Sequence, residues 1–192
     1  MPIEIELKAR VKDHEALNKR VSLLAPLPPL SFEKDDCYWT GGKDGESRPA
    51  VRVRKEKILH PGGETKEQAL AAYKIKEVRE GIEINDEREF AVSDPACFEE
   101  LLRRLGLEPG SSKNKRGWAW TSGVIHAELC EVSGPKRSLG WFLEIEILAE
   151  SAAAQVVADS RKTLLDFLEQ TGLSRDCIEE RYYSELLAQE KA

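Results

Sequence analysis

Glu4-Ile5-Glu6-Leu7-Lys8 stands almost at the start of the chain, and its reading decides the fold. Side chains alternate along a strand, so Glu4, Glu6, Lys8 and Arg10 share one face while Ile3, Ile5, Leu7 and Ala9 share the other. A single strand of this kind is an ordinary half-buried one with a wet face. The pattern, however, returns in Val51-Arg52-Val53-Arg54, Tyr73-Lys74-Ile75-Lys76, Glu87-Arg88-Glu89-Phe90 and Leu143-Glu144-Ile145-Glu146-Ile147. Acids line some strands and bases line others. If helices cover the apolar face of such a sheet and it closes into a barrel, the charged parity points into the lumen.

Composition sets the bounds. The 192 residues are 41% hydrophobic and 33% charged, enough for one core, and residues 1–192 are expected to form a single domain. A net charge of -6 argues against binding a nucleic-acid polymer, though not against a local basic site. Cys37, Cys97, Cys130 and Cys177 are far apart and form no paired ligand motif, so reduced thiols are expected rather than structural zinc or disulfides. The acidic, alternating N-terminus is unlike a signal peptide, and no apolar run is long enough to span a bilayer. A cytoplasmic protein without membrane attachment follows.

Outward from the first strand, Asp13 caps a helix whose Ala16, Leu17, Val21 and Leu24 fall at helical spacing, and Pro26, Pro28 and Pro29 stop it. Strands are expected over 32–40, 49–56, 71–78 and 82–92. Gly41, Gly42 and Gly45 mark a turn after the first of these, and His60 to Gln68 reads as a long mobile loop. Asp94-Pro95 opens a helix that Gly106 closes. Residues 112–121 form a strand with Lys113 and Lys115, pairing with 124–132, and Trp118 and Trp120 are expected as packing residues toward the lumen end. After the Glu144/Glu146 strand, Ser151 caps a helix that runs to about Gln170 and breaks at Gly172.

Glu4, Glu6, Glu144 and Glu146 come from opposite ends of the chain with the same Glu-Ile-Glu spacing. If their strands are neighbours, four carboxylates meet and repel unless a cation neutralises them. Carboxylate oxygens without His or Cys partners suit hard divalent cations such as Mg²⁺ or Mn²⁺. Lys8, Arg52, Arg54, Lys74, Lys76, Lys113 and Lys115 supply a cationic set suited to an anion with several phosphates. Pairing of these acids and bases across the sheet is the competing account, and burying so many charges without a ligand is costly. No Lys-Ser/Thr pair follows a glycine turn to make a phosphate-cradling loop. His14, His60 and His126 are isolated and carry no assignment.

These stretches, taken together and in order, resemble the CYTH superfamily, the triphosphate tunnel metalloenzymes. Glu4-Ile-Glu6-Leu-Lys8 is similar to its ExExK signature, Asp36-Cys37-Tyr38 to D-x-Y, Arg52-Val53-Arg54 to R-x-R, and Glu87/Glu89 to E-x-E. Lys74 stands at the lysine of the next strand and Lys113-Asn114-Lys115 at K-x-K. Leu139-Gly140-Trp141-Phe142-Leu143-Glu144-Ile145-Glu146 matches L-G-x-F-x-E-I-E, and Arg181-Tyr182-Tyr183-Ser184-Glu185-Leu186-Leu187 resembles the closing R-S-Y-x-x-L-L.

The resemblance implies an α+β, mainly β fold: a closed eight-stranded antiparallel barrel with flanking helices. It implies that Glu4, Glu6, Glu87, Glu89, Glu128, Glu144 and Glu146 hold Mg²⁺ or Mn²⁺. It implies that Lys8, Arg52, Arg54, Lys74, Lys76, Lys113, Lys115 and Arg181 hold a triphosphate such as ATP or tripolyphosphate, with Lys8, Arg54 and Lys76 acting in catalysis. A homodimer is compatible with it. Cys130 departs from the pattern, standing where many members have Asp, with Glu128 two residues earlier on the same face; Asn85 stands where several have Arg. The likeness is greatest to bacterial class IV adenylyl cyclases, which make cyclic AMP and pyrophosphate from ATP. A triphosphatase and a non-catalytic polyphosphate or nucleotide sensor are the alternatives.

Overall fold

A computed structural model describes residues 3–41, 50–79 and 81–188, the side chains of Lys76 and Arg79 excepted. Eight strands follow in chain order: β1 (Ile3–Val11), β2 (Leu30–Gly41), β3 (Val51–Leu59), β4 (Thr65–Arg79), β5 (Ile82–Ala91), β6 (Leu107–Ser122), β7 (Ile125–Ser133) and β8 (Ser138–Ala149). Four α-helices are interspersed: α1 (His14–Leu24), α2 (Pro95–Arg104), α3 (Ala154–Gln170) and α4 (Tyr183–Ala188). The strands close into an antiparallel barrel in the order β1-β5-β4-β3-β2-β6-β7-β8. The expected mainly β barrel with flanking helices is the one observed.

β1 is the closing strand. Its full length pairs with β8, setting Glu6 opposite Glu146 and Lys8 opposite Glu144, while Glu4 and Glu6 pair with Asn85 and Glu83 of β5 on the other side. The two Glu-Ile-Glu stretches are therefore neighbours, as their matched spacing suggests. On the opposite parity, Ile5, Leu7 and Ala9 of β1, Leu129 of β7, and Leu143 and Ile145 of β8 are fully buried under α1 and α3, which contribute Val21, Leu164 and Leu168. Each such buried Val, Leu or Ile side chain contributes on the order of 1.5–3 kcal/mol. A smaller outer cluster seats Leu102 of α2 against Trp39 and Val53.

Local signals account for most element ends. The Asp13 and Asp94 carboxylates accept the N–H groups of Ala16 and Cys97, each at 3.0 Å, capping α1 and α2. Gly106 and Gly172 follow α2 and α3 with φ of 82° and 81°, the left-handed closure that glycine permits. Ser151 does not cap α3: the cap position is Ala153, without a side-chain bond, and the Ser151 hydroxyl instead accepts the N–H of Ala153 at 3.4 Å.

Two other expectations are corrected. The long loop over His60–Gln68 is a short turn, closed by His60 N–H to Glu64 C=O at 2.8 Å, and residues 65–68 extend β4 against β3. Their polar composition belongs to a strand extension rather than to a loop. Trp118 and Trp120 lie outside the lumen: counting by two from Lys113 and Lys115 reaches Gly117 and Ala119. Trp120 is buried in the helix-covered core with its indole N–H on Ser22 Oγ at 3.2 Å, and Trp118 stacks on Trp141 at 5.7 Å. The turn expected at Gly42 and Gly45 lies outside the described residues.

Gly117 marks a close approach of β6 and β7. A Cβ there would lie 2.0 Å from the Leu129 carbonyl oxygen and 2.7 Å from the Cys130 Cα, both backbone atoms. Gly117→Ala is expected to destabilise by about 1–3 kcal/mol through forced backbone displacement. Urea unfolding measures it, and an unchanged midpoint would contradict the contact.

Candidate active site

Inside the barrel lies a cavity of about 690 Å³ lined by charged residues of all eight strands. Lys8, Arg52, Arg54, Lys74, Lys113 and Lys115 all reach it, as do Glu4, Glu6, Glu87, Glu89, Glu128, Glu144 and Glu146. Lys76 lies on β4 in register with Asn85, and its side chain is outside the description. Arg181 is not a lining residue. Its guanidinium pairs with Glu179 at 2.7 Å, and Glu179 also takes Arg10 at 2.8 Å. Arg181 precedes the turn into α4, which puts its neighbours Tyr182 and Tyr183 on the cavity wall.

Acids and bases meet in ion-paired groups along the wall. Lys74 Nζ sits among Glu4 (2.5 Å), Glu87 (2.8 Å) and Glu6 (4.0 Å). Arg54 makes a two-pronged contact to Asp36, Nε to Oδ1 at 2.6 Å and Nη2 to Oδ2 at 3.0 Å, with Lys113 at 3.6 Å from the same carboxylate. Lys115 contacts Glu144, and Glu128 takes Lys34 at 2.5 Å and His126 Nε2 at 3.2 Å. Arg52 spans Glu87 at 2.5 Å and Glu89 at 2.8 Å, and Lys8 pairs with Glu83.

Ionisation follows this layout. Burial opposes the charge on Glu4, yet the Lys74 ammonium and hydrogen bonds bring its carboxyl down to about 2. Burial together with the negative charges of Glu83 and Glu144 pushes Glu6 up to about 7. Burial and the adjoining Glu4 push Glu146 well above the usual range. Asp36 is buried, but the Arg54 guanidinium holds it far below the usual range. Like-charge crowding on β1 and β8 and charge pairing on β2 and β3 thus divide the lumen into an acidic and a basic side.

The donor chemistry of the acidic side fits a hard divalent cation: several carboxylates, no thiol, and two carboxyls raised by burial and by neighbouring carboxylates whose charge such an ion would offset. Among the described residues no three acidic, His or Cys side chains already converge on one point, because Lys74 serves as the counter-ion between Glu4, Glu6 and Glu87.

Lys34, Tyr38, Glu56 and Glu83, to which sequence reasoning assigns no site role, also line the cavity. Parity could have found them, since Lys34, Asp36 and Tyr38 alternate on β2 and Glu56 continues the Arg52/Arg54 face. Gln68 was hidden by the loop assignment. Cys130 lies beneath the polar lumen, fully buried with Phe142, Val132 and Tyr183, and is absent from the cavity wall. The acidic lining residue of β7 is Glu128.

A CYTH domain matches residues 2–183, nearly the whole chain. The chain belongs to the CYTH family. Its lumen, lined by carboxylates and cations drawn from all eight strands, is the triphosphate tunnel of that family. A solved structure of the PH1012 protein from Pyrococcus horikoshii OT3 is 27% identical, with 96% of this chain and 99% of that one covered and a TM-score of 0.71. A Vibrio parahaemolyticus protein provisionally named an adenylate cyclase is 21% identical over 97% and 98% of the two chains, with a TM-score of 0.73. A Hippeastrum protein provisionally named an adenylyl cyclase, and described as having a dominant triphosphatase activity, is 18% identical over 97% and 93%, with a TM-score of 0.58. No curated protein matches the chain by sequence. Among the described residues, no helix is long and apolar enough to cross a membrane.

Glu179 provides a pH test outside the tunnel. Hydrogen bonds from Arg181 and Arg10 outweigh burial and bring it down to about 2 from 4.5. A lowered acid stabilises the fold above its unfolded value, and that stabilisation is lost as pH falls from about 4.5 toward 2. Glu179→Gln should flatten the decline in melting temperature over that window. An unchanged pH profile would remove Glu179 as a contributor.

Proposed function

We propose that this protein is a divalent-metal-dependent enzyme that binds a triphosphate in its tunnel and converts ATP to cyclic AMP and pyrophosphate. The observation that carries the metal and triphosphate part is the shared lumen. Carboxylates of β1 and β8 face cations of β2, β3, β4 and β6 across one cavity of about 690 Å³. Members of the CYTH tunnel family depend on divalent metals. In this chain Glu4, Glu6, Glu144 and Glu146 would hold Mg²⁺ or Mn²⁺, with Glu87, Glu89 and Glu128 beside them. A bound divalent ion would supply neutralisation of phosphate charge as a Lewis acid. Lys8, Arg52, Arg54, Lys74, Lys113 and Lys115 would grip the phosphate oxygens and stabilise charge as it develops on the pyrophosphate. Lys76 retains its proposed role from its place on β4.

Cyclisation rests on the order of motifs along the chain, which runs as in class IV cyclases from the first strand to Arg181-Tyr182-Tyr183. It requires the ATP 3′-hydroxyl to lie in line with the α-phosphorus, so the nucleoside must be held at the tunnel mouth. A second reading, hydrolysis of a triphosphate, is favoured by one structural observation. Residues 65–68 belong to β4 and Tyr183 is buried in the wall, so neither is free to close over a nucleoside. A sensor without catalysis draws its support from Cys130, and that residue lies away from the cavity.

Product analysis tests the proposal. Purified protein is incubated with ATP or tripolyphosphate and with Mg²⁺ or Mn²⁺. The expected products from ATP are cyclic AMP and pyrophosphate, both lost on adding EDTA without unfolding. Orthophosphate from tripolyphosphate, with no cyclic nucleotide from ATP, would replace cyclisation by hydrolysis. Tight binding with neither product would identify a sensor.

A further inference from the structure

One end of the lumen has an apolar floor. Tyr183 and Leu186 of α4 meet Phe32, Cys130, Val132 and Phe142, all of which project inward from their strands. Of these residues, Tyr183 is the one that also lines the cavity. Its hydroxyl donates to Glu144 Oε1 at 2.6 Å, and its ring stands edge-on to Phe142 at 5.0 Å. The ammonium groups of Lys113, Lys115 and Lys8 lie 4.9, 5.6 and 5.7 Å from its ring centroid. Among the described residues no other ring gathers three cations.

We propose that Tyr183 is a positioning residue of the tunnel floor: its ring gathers the three lysine ammonium groups where the phosphate chain binds, and its hydroxyl fixes Glu144 beside them. The inference rests on reading the lumen as a triphosphate site. An aromatic face attracts an ammonium without accepting a conventional hydrogen bond from it. The ring takes up none of the lysine N–H groups, so those not engaged by Glu83, Asp36 and Glu144 are left for phosphate oxygens while the ammonium positions are held. The phenol is a neutral donor, so it orients the Glu144 carboxylate without adding a further cation to it. The ring and the hydroxyl thus have separable tasks.

The test compares the wild type with Tyr183→Phe and Tyr183→Leu. Tripolyphosphate is titrated into each protein by calorimetry, melting temperatures are recorded, and turnover is measured on whichever of ATP or tripolyphosphate the wild type consumes. Tyr183→Phe keeps the ring, so its tripolyphosphate affinity should stay within about twofold while kcat/KM falls about tenfold. Tyr183→Leu should bind tripolyphosphate about tenfold more weakly, without a matching loss of melting temperature. Wild-type kcat/KM in Tyr183→Phe overturns the proposal, and this arm decides alone if the leucine variant does not fold. Wild-type affinity in a folded Tyr183→Leu overturns it as well. Failure of the wild type itself to bind either phosphate compound would overturn the triphosphate reading, and the assignment of Tyr183 with it.

Discussion

Glu6→Gln should abolish turnover while making the protein no less stable. Glu6 projects from β1 into the lumen, is 9% exposed, and faces the negative charges of Glu83 and Glu144. Burial and those charges raise its carboxyl from 4.5 to about 7, so near neutrality the folded chain holds Glu6 partly protonated. An acid raised in this way costs nothing below its unfolded value, and its cost grows with pH until the folded value is passed. The glutamine variant avoids that cost. Its advantage in unfolding free energy should appear above pH 4.5 and level off above about 7, at no more than about 3–4 kcal/mol. Turnover should nevertheless fall on the order of 100-fold or more, since the lost carboxylate is one of the proposed metal holders. Chemical unfolding across pH and kcat/KM at saturating metal check the two halves. Near-normal turnover would remove Glu6 from the metal set, and a destabilised variant would contradict the like-charge account.

Arg54→Met should lose both stability and activity, and the two losses can be separated. The Arg54 fork is the main partner of Asp36, which is 3% exposed and held ionised by that guanidinium. Removing one member of a buried pair leaves the other uncompensated, at a cost of about 3–5 kcal/mol. Lys113, at 3.6 Å, offsets only part of it. Adding Asp36→Asn removes the orphaned charge, so the double variant should regain most of the urea midpoint. Its turnover should stay low, because the cation proposed to grip the phosphates is still missing. If the double variant also regains activity, Arg54 serves the fold through Asp36 and does not contact substrate. If Arg54→Met unfolds at the wild-type midpoint, the pair contributes no stability.

The parity of the charged strands was legible in residue order because alternation is a local property with a period of two. It put Glu4, Glu6, Lys8, Arg52, Arg54, Lys74, Lys113, Lys115, Glu144 and Glu146 on the faces that line the cavity. The same count, carried through β2, reaches Lys34 and Tyr38, and carried through β6 it excludes Trp118 and Trp120. Parity failed where an element was misassigned. Residues 65–68 are polar enough to read as loop, yet their backbone hydrogen bonds to β3 make them strand and bring Gln68 to the lumen.

By itself, the sequence determined which residues share a face, which helices are capped by Asp13 and Asp94, and that charge of both signs would be gathered in one place. Only the tertiary structure decided which acid meets which base. Pairing depends on strand neighbours and register, and those join residues far apart in the chain, such as Glu6 with Glu146 and Tyr183 with Glu144. Arg181 carries the charge expected of a phosphate contact, but Glu179, two residues away, takes its guanidinium instead. Cys130 has lumen parity, but α4 fills that end of the barrel with apolar side chains and buries it. Residue order records the alternation of side chains along a strand. The depth at which a neighbouring element seals the barrel is set by packing across the whole fold.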